Sequence, residues 1–357
     1  MTEAIMVVGG KGTRLRPLTV NIQKSMLPCA GVPFLTHLLA RAQQAGVEHM
    51  VLATWYKAEL FEPAFGDGSA LGLELSYVTE DVPLGTGGAL RNVADRLRSG
   101  PDEPVLIFNA DILSGHDIRA QLALHEARRA DVTLHLTEVA DARAYGCVPT
   151  DETGRVTAFL EKMPEPVTNQ INAGCYVFRR QVLDEIPAGQ VVSVERETFP
   201  ALLARGARVH GYVDSSYWLD VGTPAAFVRG SADLVLGRAP SPAVPPVDGE
   251  ALVLSGAEVA PDAKLVGGAC VGSRAQVGTG AHIDGSVLLD GAVIGDGAVV
   301  RASVVGADAR IGAGCVLDEA VVGDGADVGA DNELRAGVRI WTGAVAAAGT
   351  IRFSSDQ

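Results

Sequence analysis

Residues 9 to 24 read GGKGTRLRPLTVNIQK, with three glycines, four cations and no carboxylate. Gly9, Gly10 and Gly12 let backbone N–H groups converge on an anion with no Cβ in the way, and Lys11, Arg14, Arg16 and Lys24 supply positive charge. The acid-free stretch extends beyond the loop, from Ala4 to Val47. An even spread of the 43 acids over 357 residues would place about five there. The whole chain carries a formal net charge of -14, so this local positive segment points to phosphate binding. Two familiar phosphate loops are excluded by spacing. Lys11 is followed by Gly12 where a Walker A loop needs Ser or Thr, and Leu15 occupies the third glycine position of the dinucleotide fingerprint.

A loop of this kind needs a strand before it and a sheet around it. AIMVV, HMVLAT, LELSYV and PVLIFNAD read as strands, and FLTHLLARAQQAG as a helix with apolar Phe34, Leu38, Leu39 and Ala42 and a stop at Gly46. The alternation predicts an α/β, Rossmann-like, mostly parallel sheet covered by helices, with ligands at the carboxyl ends of the strands. Four prolines in residues 237 to 249 break that pattern and read as a linker. Beyond it an aliphatic residue recurs every six positions. Val253, Val259, Leu265, Val271, Val277, Ile283 and Leu289 form one run. Val293, Val299, Val305, Ile311 and Leu317 form a second, and Val322, Val328, Leu334 and Ile340 a third. A hexapeptide period predicts a left-handed parallel β-helix. The expected domains are therefore 1–236, a linker over 237–249, and a β-helix over 250–357.

The acidic balance argues against nucleic-acid or anionic-membrane partners, and no uncharged apolar run reaches membrane-spanning length. Five widely spaced cysteines with no CxxC suit reduced thiols, and the N-terminus shows no basic segment or cleavage signal, so a cytoplasmic protein is expected.

GGKGTRLRPLT resembles the signature of the sugar-1-phosphate nucleotidyltransferases. PLGTGGAL, FNAD, FLEK, INAG and WLDVGTP follow in that family's order, and the likeness is closest to the mannose-1-phosphate guanylyltransferases. The resemblance implies attack of a sugar 1-phosphate oxygen on the α-phosphorus of a nucleoside triphosphate, with release of pyrophosphate. Such chemistry needs two polyanions aligned and their repulsion neutralised. By family position Arg14 and Lys24 are catalytic, and Gly9, Gly10, Gly12, Thr13, Glu80, Gly85, Thr86 and Gly87 bind the nucleotide. Gly146, Glu161, Lys162 and Asn172 bind the sugar phosphate, and Asp111 and Asp220 hold Mg²⁺. Gly85, Gly87 and Gly88 would let the backbone close on a purine. Glu80 stands where thymidylyl- and uridylyl-transferring relatives tend to carry Gln. A carboxylate pairs with the N1–H and N2–H₂ donors of guanine, so GTP is the expected nucleotide.

Several residues depart from the family's pattern. Gln23 and Ser25 replace the prolines flanking Lys24, which would loosen its backbone, Ala110 replaces a glycine, and Met163 replaces a proline. Tyr145 and Cys147 stand near the expected sugar pocket. These changes cluster around the acceptor and predict a hexose-like 1-phosphate other than mannose, such as the cyclitol valienol 1-phosphate of aminocyclitol antibiotic biosynthesis. Ordinary GDP-mannose synthesis is the alternative. A hexapeptide-repeat acyltransferase would need a catalytic histidine between coils, and only His282 lies there. The β-helix is expected to mediate self-association into a homo-oligomer, because a terminal coil otherwise exposes an unpaired edge.

Overall fold

The computed structural model describes residues 1–244 and 246–352. Pro245 of the proline-rich segment and the last five residues of the expected 250–357 domain lie outside the described residues. Packing divides the chain into two compact units, residues 1–10 with 38–218 and residues 11–37 with 219–357. The cationic segment thus belongs, by packing, with the C-terminal half.

The first unit is built on a mixed sheet. Thr2–Val8 lies parallel between Val47–Thr54 and Pro104–Asn109, and Glu74–Thr79 continues the parallel side. Gln170–Arg179 runs antiparallel to both Pro104–Asn109 and Val132–Glu138, and Val209–Val213 pairs parallel with the latter. Strands covered on both faces read as continuous apolar runs, as Ala4, Ile5 and Met6 do, all fully buried. The core joins Ile5, Val51 and Ile107 to Ala89, Leu90 and Val93 of the helix Gly85–Val93, and to Tyr176, Phe178 and Phe199. The helix Phe34–Gln44 buries all four of its expected apolar positions. One charge is buried deep in this sheet. Glu3 meets His49 Nδ1 at 2.6 Å and accepts the Arg98 and Ser99 backbone N–H groups at 2.8 and 2.6 Å, so each of its oxygens has a partner.

The second unit contains three parallel sheets, of six, six and five strands, that form the faces of a β-helix. Val271, Leu288, Val305 and Val322 stack on one face, Val277, Ile294, Ile311 and Val328 on the next, and Ile283, Val300, Leu317 and Leu334 on the third. All twelve are buried. A strict period of six would place Leu289, Val293 and Val299 inside, whereas Leu288, Ile294 and Val300 hold the axial positions, and Val293 and Val299 are half-exposed. The reason is one shortened corner in each of the three middle coils. Gly285, Ala302 and Glu319 turn there with φ of 50°, 42° and 54°, and each such corner removes a residue from the period. Ala275, Ala281, Ala292, Ala298, Ala309 and Ala326 fill the narrow corners of the prism, fully buried.

The start of the proline-rich segment is pinned rather than loose. The Arg238 and Ala239 N–H groups donate to the Asp233 carbonyl at 2.8 and 3.0 Å, and His37 Nδ1 lies 2.7 Å from Ser241 Oγ. All five cysteines are free and buried, and burial pushes the Cys270 thiol up to about 12. Among the described residues no helix is long and apolar enough to cross a membrane.

The axial assignment is directly testable. Val300→Ala should destabilise the protein by about 1–3 kcal/mol, because it leaves a cavity between stacked neighbours. Val299→Ala should cost less than about 1 kcal/mol, as surface changes do. Denaturant unfolding of the two variants reads the difference, and equal losses would contradict the register.

Candidate nucleotide and sugar-phosphate site

The expected site residues are distributed over both units. In the second unit, Thr13–Leu15 forms one 3₁₀ turn, entered through Gly12 at φ 59°. Thr19 Oγ1 donates to the Gly12 carbonyl at 2.8 Å, and a Cβ at Gly12 would come within 2.9 Å of Lys24 Cβ. Gly12 is therefore doubly required, by its left-handed backbone and by the approach of Lys24. Thr13 and Arg14 are exposed and Lys24 is half-buried. Lys24 opens a second 3₁₀ turn, Lys24–Met26, whose Ser25 N–H donates to Gln23 Oε1 at 2.5 Å. The loss of two prolines does not leave Lys24 unframed, because the buried Gln23 side chain caps its turn.

Asp220 ends the strand Trp218–Asp220. Two residues on, Gly222 is a position where a Cβ would collide with the Arg14 guanidinium and lie 2.9 Å from Asp220 Oδ1. The cationic loop and WLDVG thus come together across a bare glycine, and the Arg14 guanidinium takes the place that a methyl there would occupy, next to the Asp220 carboxylate.

In the first unit, a Cβ at Gly9 would meet nothing nearer than Trp55 Cβ at 3.8 Å. Packing does not demand a glycine there. Glu80 follows the strand Glu74–Thr79 and is buried, and its Oε2 accepts the Leu84 N–H at 3.2 Å. Its Oε1 is buried with no hydrogen-bond partner among the described residues. Burial pushes the Glu80 carboxyl above its ordinary range, against a smaller opposing effect of the Leu84 N–H.

The glycines of PLGTGGAL have a neighbour that sequence reasoning did not supply. Gly87 N–H donates to the Val192 carbonyl at 2.8 Å, and a Cβ at Gly85 would sit 2.6 Å from that same oxygen. A Cβ at Gly88 would lie 2.5 Å from the Gln190 carbonyl. Their bareness admits the segment 190–192, so closure on a base is not needed to explain it. The Thr86 hydroxyl is engaged as well, donating to Glu195 Oε2 at 2.8 Å and accepting from Val194 N–H at 2.9 Å.

The expected sugar-phosphate residues share a neighbourhood. Glu161 stands opposite Gly146 in the antiparallel pairing of Leu160–Glu161 with Gly146–Cys147. A Cβ at Gly146 would come within 3.0 Å of Glu161 Oε2. Lys162 adopts φ 45°, a strained value for a side-chain-bearing residue, with its N–H on the Tyr145 carbonyl at 3.2 Å and Nζ 3.8 Å from Glu161 Oε1. Asn172 is already anchored. Its Nδ2 donates to Tyr176 Oη at 2.8 Å and its Oδ1 accepts Gly174 N–H at 3.2 Å. Asn109 Nδ2 donates to the same phenol at 3.4 Å, and burial pushes the Tyr176 hydroxyl well above its ordinary range, so it stays neutral. Tyr176 thus ties the strand that leads to Asp111 to the one that carries Asn172. It was missed because INAG alone gives no hint of a partner four residues on.

Four of the departures expected around the acceptor turn inward, while Met163 and Tyr145 stay half-exposed. Gln23 and Cys147 are fully buried, Ser25 is 1% exposed and Ala110 2%. Side chains enclosed by protein have little surface to offer a substrate, so these four changes give weak grounds for a new acceptor.

Residues 3–235 match the nucleotidyl transferase family model and residues 247–345 match the GMPPB C-terminal domain. A mannose-1-phosphate guanylyltransferase of Mycobacterium tuberculosis (strain ATCC 25618 / H37Rv) is 57% identical over 355 residues, covering 99% of this chain and 98% of that one. The mannose-1-phosphate guanylyltransferase catalytic subunit beta of Drosophila pseudoobscura pseudoobscura is 36% identical over 230 residues, 64% of this chain and 61% of its own length. Among solved structures, HddC from Yersinia pseudotuberculosis complexed with GMP-PN superposes with a TM-score of 0.56 at 24% identity, over 66% of this chain and 100% of that one. A putative glucose-1-phosphate thymidylyltransferase from Bacillus anthracis gives 0.60 at 22%, over 68% of this chain and 97% of that one. At those identities the two structures show the fold. The match of the family model over residues 3–235 makes this chain a nucleotidyltransferase. More narrowly, the chain belongs to the sugar-1-phosphate nucleotidyltransferase family and is an enzyme of the guanylyltransferase type.

Two outcomes are expected from this geometry. Gly222→Ala should push Arg14 and Asp220 apart and lower kcat/KM for pyrophosphate release by about 100-fold, the cost of misplacing a catalytic group by an ångström. Unchanged turnover in a folded Gly222→Ala variant would remove the cradle from the site. Glu80→Gln should stabilise the free protein at pH 8, because the raised carboxyl is then ionised in a buried place. That gain should shrink as pH falls through the raised pKa and Glu80 takes up its proton. Thermal melts across pH read this, and a gain that grows in acid would contradict the burial assignment.

Proposed function

We propose that the protein is a mannose-1-phosphate guanylyltransferase, joining GTP and mannose 1-phosphate to give GDP-mannose and pyrophosphate. The observation that carries this reading is the 57% identity, over 99% of the chain, to the Mycobacterium tuberculosis protein of that name. It displaces the cyclitol reading of the acceptor, which rested on departures that are mostly buried. The acyltransferase reading keeps only His282, a residue of the β-helix strand His282–Asp284.

In the proposed reaction a mannose 1-phosphate oxygen attacks the α-phosphorus of GTP, a new P–O bond forms, and the bond to the β-phosphate oxygen breaks. Arg14 neutralises the departing pyrophosphate, and Lys24, held by the Gln23 cap, reaches the α-phosphate. Glu80 accepts from the guanine N1–H and N2–H₂ edge, and its buried, unmatched Oε1 supports that role. Glu161 and Asn172 bind sugar hydroxyls, and Lys162 the sugar phosphate. Asp111 and Asp220 would hold Mg²⁺, which would neutralise phosphate charge there. Two hard carboxylates suit that ion by the chemistry of their oxygens. A cytoplasmic setting and a homo-oligomer belong to the same proposal. Trp341 and Val345, 50% and 80% exposed on the last coil, would suit coverage by a second copy.

The deciding measurement is kcat/KM with GTP for mannose 1-phosphate, glucose 1-phosphate and valienol 1-phosphate. Mannose 1-phosphate should win by about tenfold or more, the scale on which a single pocket contact discriminates. A preference for either competitor would overturn the acceptor.

A further inference from the structure

The segment that carries Arg14 and Lys24 is gripped at both ends by the C-terminal coils. At its start, Arg339 Nη1 donates to the Arg16 carbonyl at 2.5 Å. Arg16 is the residue that closes the Thr13–Leu15 turn, so the bond lands two residues from Arg14. At its far end, Pro28–Cys29 and Val32–Pro33 form a short hairpin just after the Lys24 turn. The tip of that hairpin, Gly31 at φ 83°, seats so closely that a Cβ would lie 2.8 Å from Leu254 Cδ2. Beside it, Ala30 N–H donates to Ser231 Oγ at 3.1 Å. Leu254 follows Ala251–Val253, the first strand of one six-stranded face of the β-helix, and Arg339 opens Arg339–Ile340, the last strand of that same face.

We propose that Arg339 is a positioning residue for triphosphate binding, and that this face of the β-helix sets the path of the Arg14–Lys24 segment. The proposal rests on the reading of that segment as the triphosphate cradle. The guanidinium pulls on a main-chain oxygen, which fixes where the turn ends whatever side chain Arg16 carries. The bond is exposed to solvent, so it orients the loop and adds little to global stability. The hairpin contact at Leu254 fixes the other end by shape alone. Between the two anchors the Gln23 cap and the Thr19 hydroxyl hold the interior of the segment to itself. Arg339 touches neither substrate in this arrangement. Its effect passes through Arg16 to the neighbouring Arg14.

The test compares wild-type protein with Arg339→Ala and Arg339→Lys, by hydrogen exchange of peptides covering residues 11–24 and by steady-state kinetics with GTP and mannose 1-phosphate. In Arg339→Ala, exchange over 11–24 should speed up by about fivefold or more while the sheet core is unchanged. The KM for GTP should rise by about fivefold or more, with KM for mannose 1-phosphate and kcat each within about twofold. Arg339→Lys, which keeps a donor and a charge, should recover part of both effects. Unchanged exchange over 11–24 overturns the proposal, and so does a rise in KM that is equal for both substrates. Should Arg339→Ala fail to fold, exchange over 11–24 in Arg339→Lys decides alone, faster than wild type in support and equal to it against. If wild-type protein turns over neither substrate, the assigned function fails while the exchange comparison still decides the clamp.

Discussion

Repulsion between two phosphorylated substrates is the constraint on which the rest of the molecule turns. The chain is acidic overall, so the positive charge that overcomes this repulsion must be gathered locally and held in place. Lys24 is held through its backbone, by the cap from Gln23 and the close approach of Gly12. The acid-free window from Ala4 to Val47 serves the same end, because it keeps carboxylates from neutralising the cations along the segment that bears them.

Much of the fold can be read from the chain before any coordinates are known. The runs around Ile5, Val51 and Ile107 are legible because a parallel strand covered on both faces has no polar side to show. The helix Phe34–Gln44 is legible because its four apolar residues recur at helical spacing. The β-helix is legible as a period, yet its phase is ambiguous wherever aliphatic residues come in pairs. Leu288–Leu289, Val293–Ile294 and Val299–Val300 each offer two candidates for one axial position, and the five-residue corner decides between them.

The site divides along similar lines. Residues recruited by a local motif are where the motif places them in sequence, but the reason for a residue type differs in places. Gly85 and Gly88 answer to the backbone at Val192 and Gln190, and Thr86 to Glu195, none of which lies near them in the chain. Tyr176 and Arg339 are invisible to any window, since what they hold depends on the folded path. The inward-facing Ala110 and Cys147 carry a related lesson. A departure from a family's pattern bears on specificity only if its side chain reaches the ligand.

The coils of the β-helix have a further consequence, for length. Neighbouring strands on one face lie about 4.8 Å apart, and each coil adds one such step. The hairpin tip at Gly31 meets the first strand's end on that face and Arg16 meets the last, so the number of coils is a measured distance along the segment from Arg16 to Gly31. Side chains within the coils can drift while the axis stays apolar. The count cannot change by one without moving an anchor by the width of a strand, and the repeat is therefore a ruler as much as a scaffold.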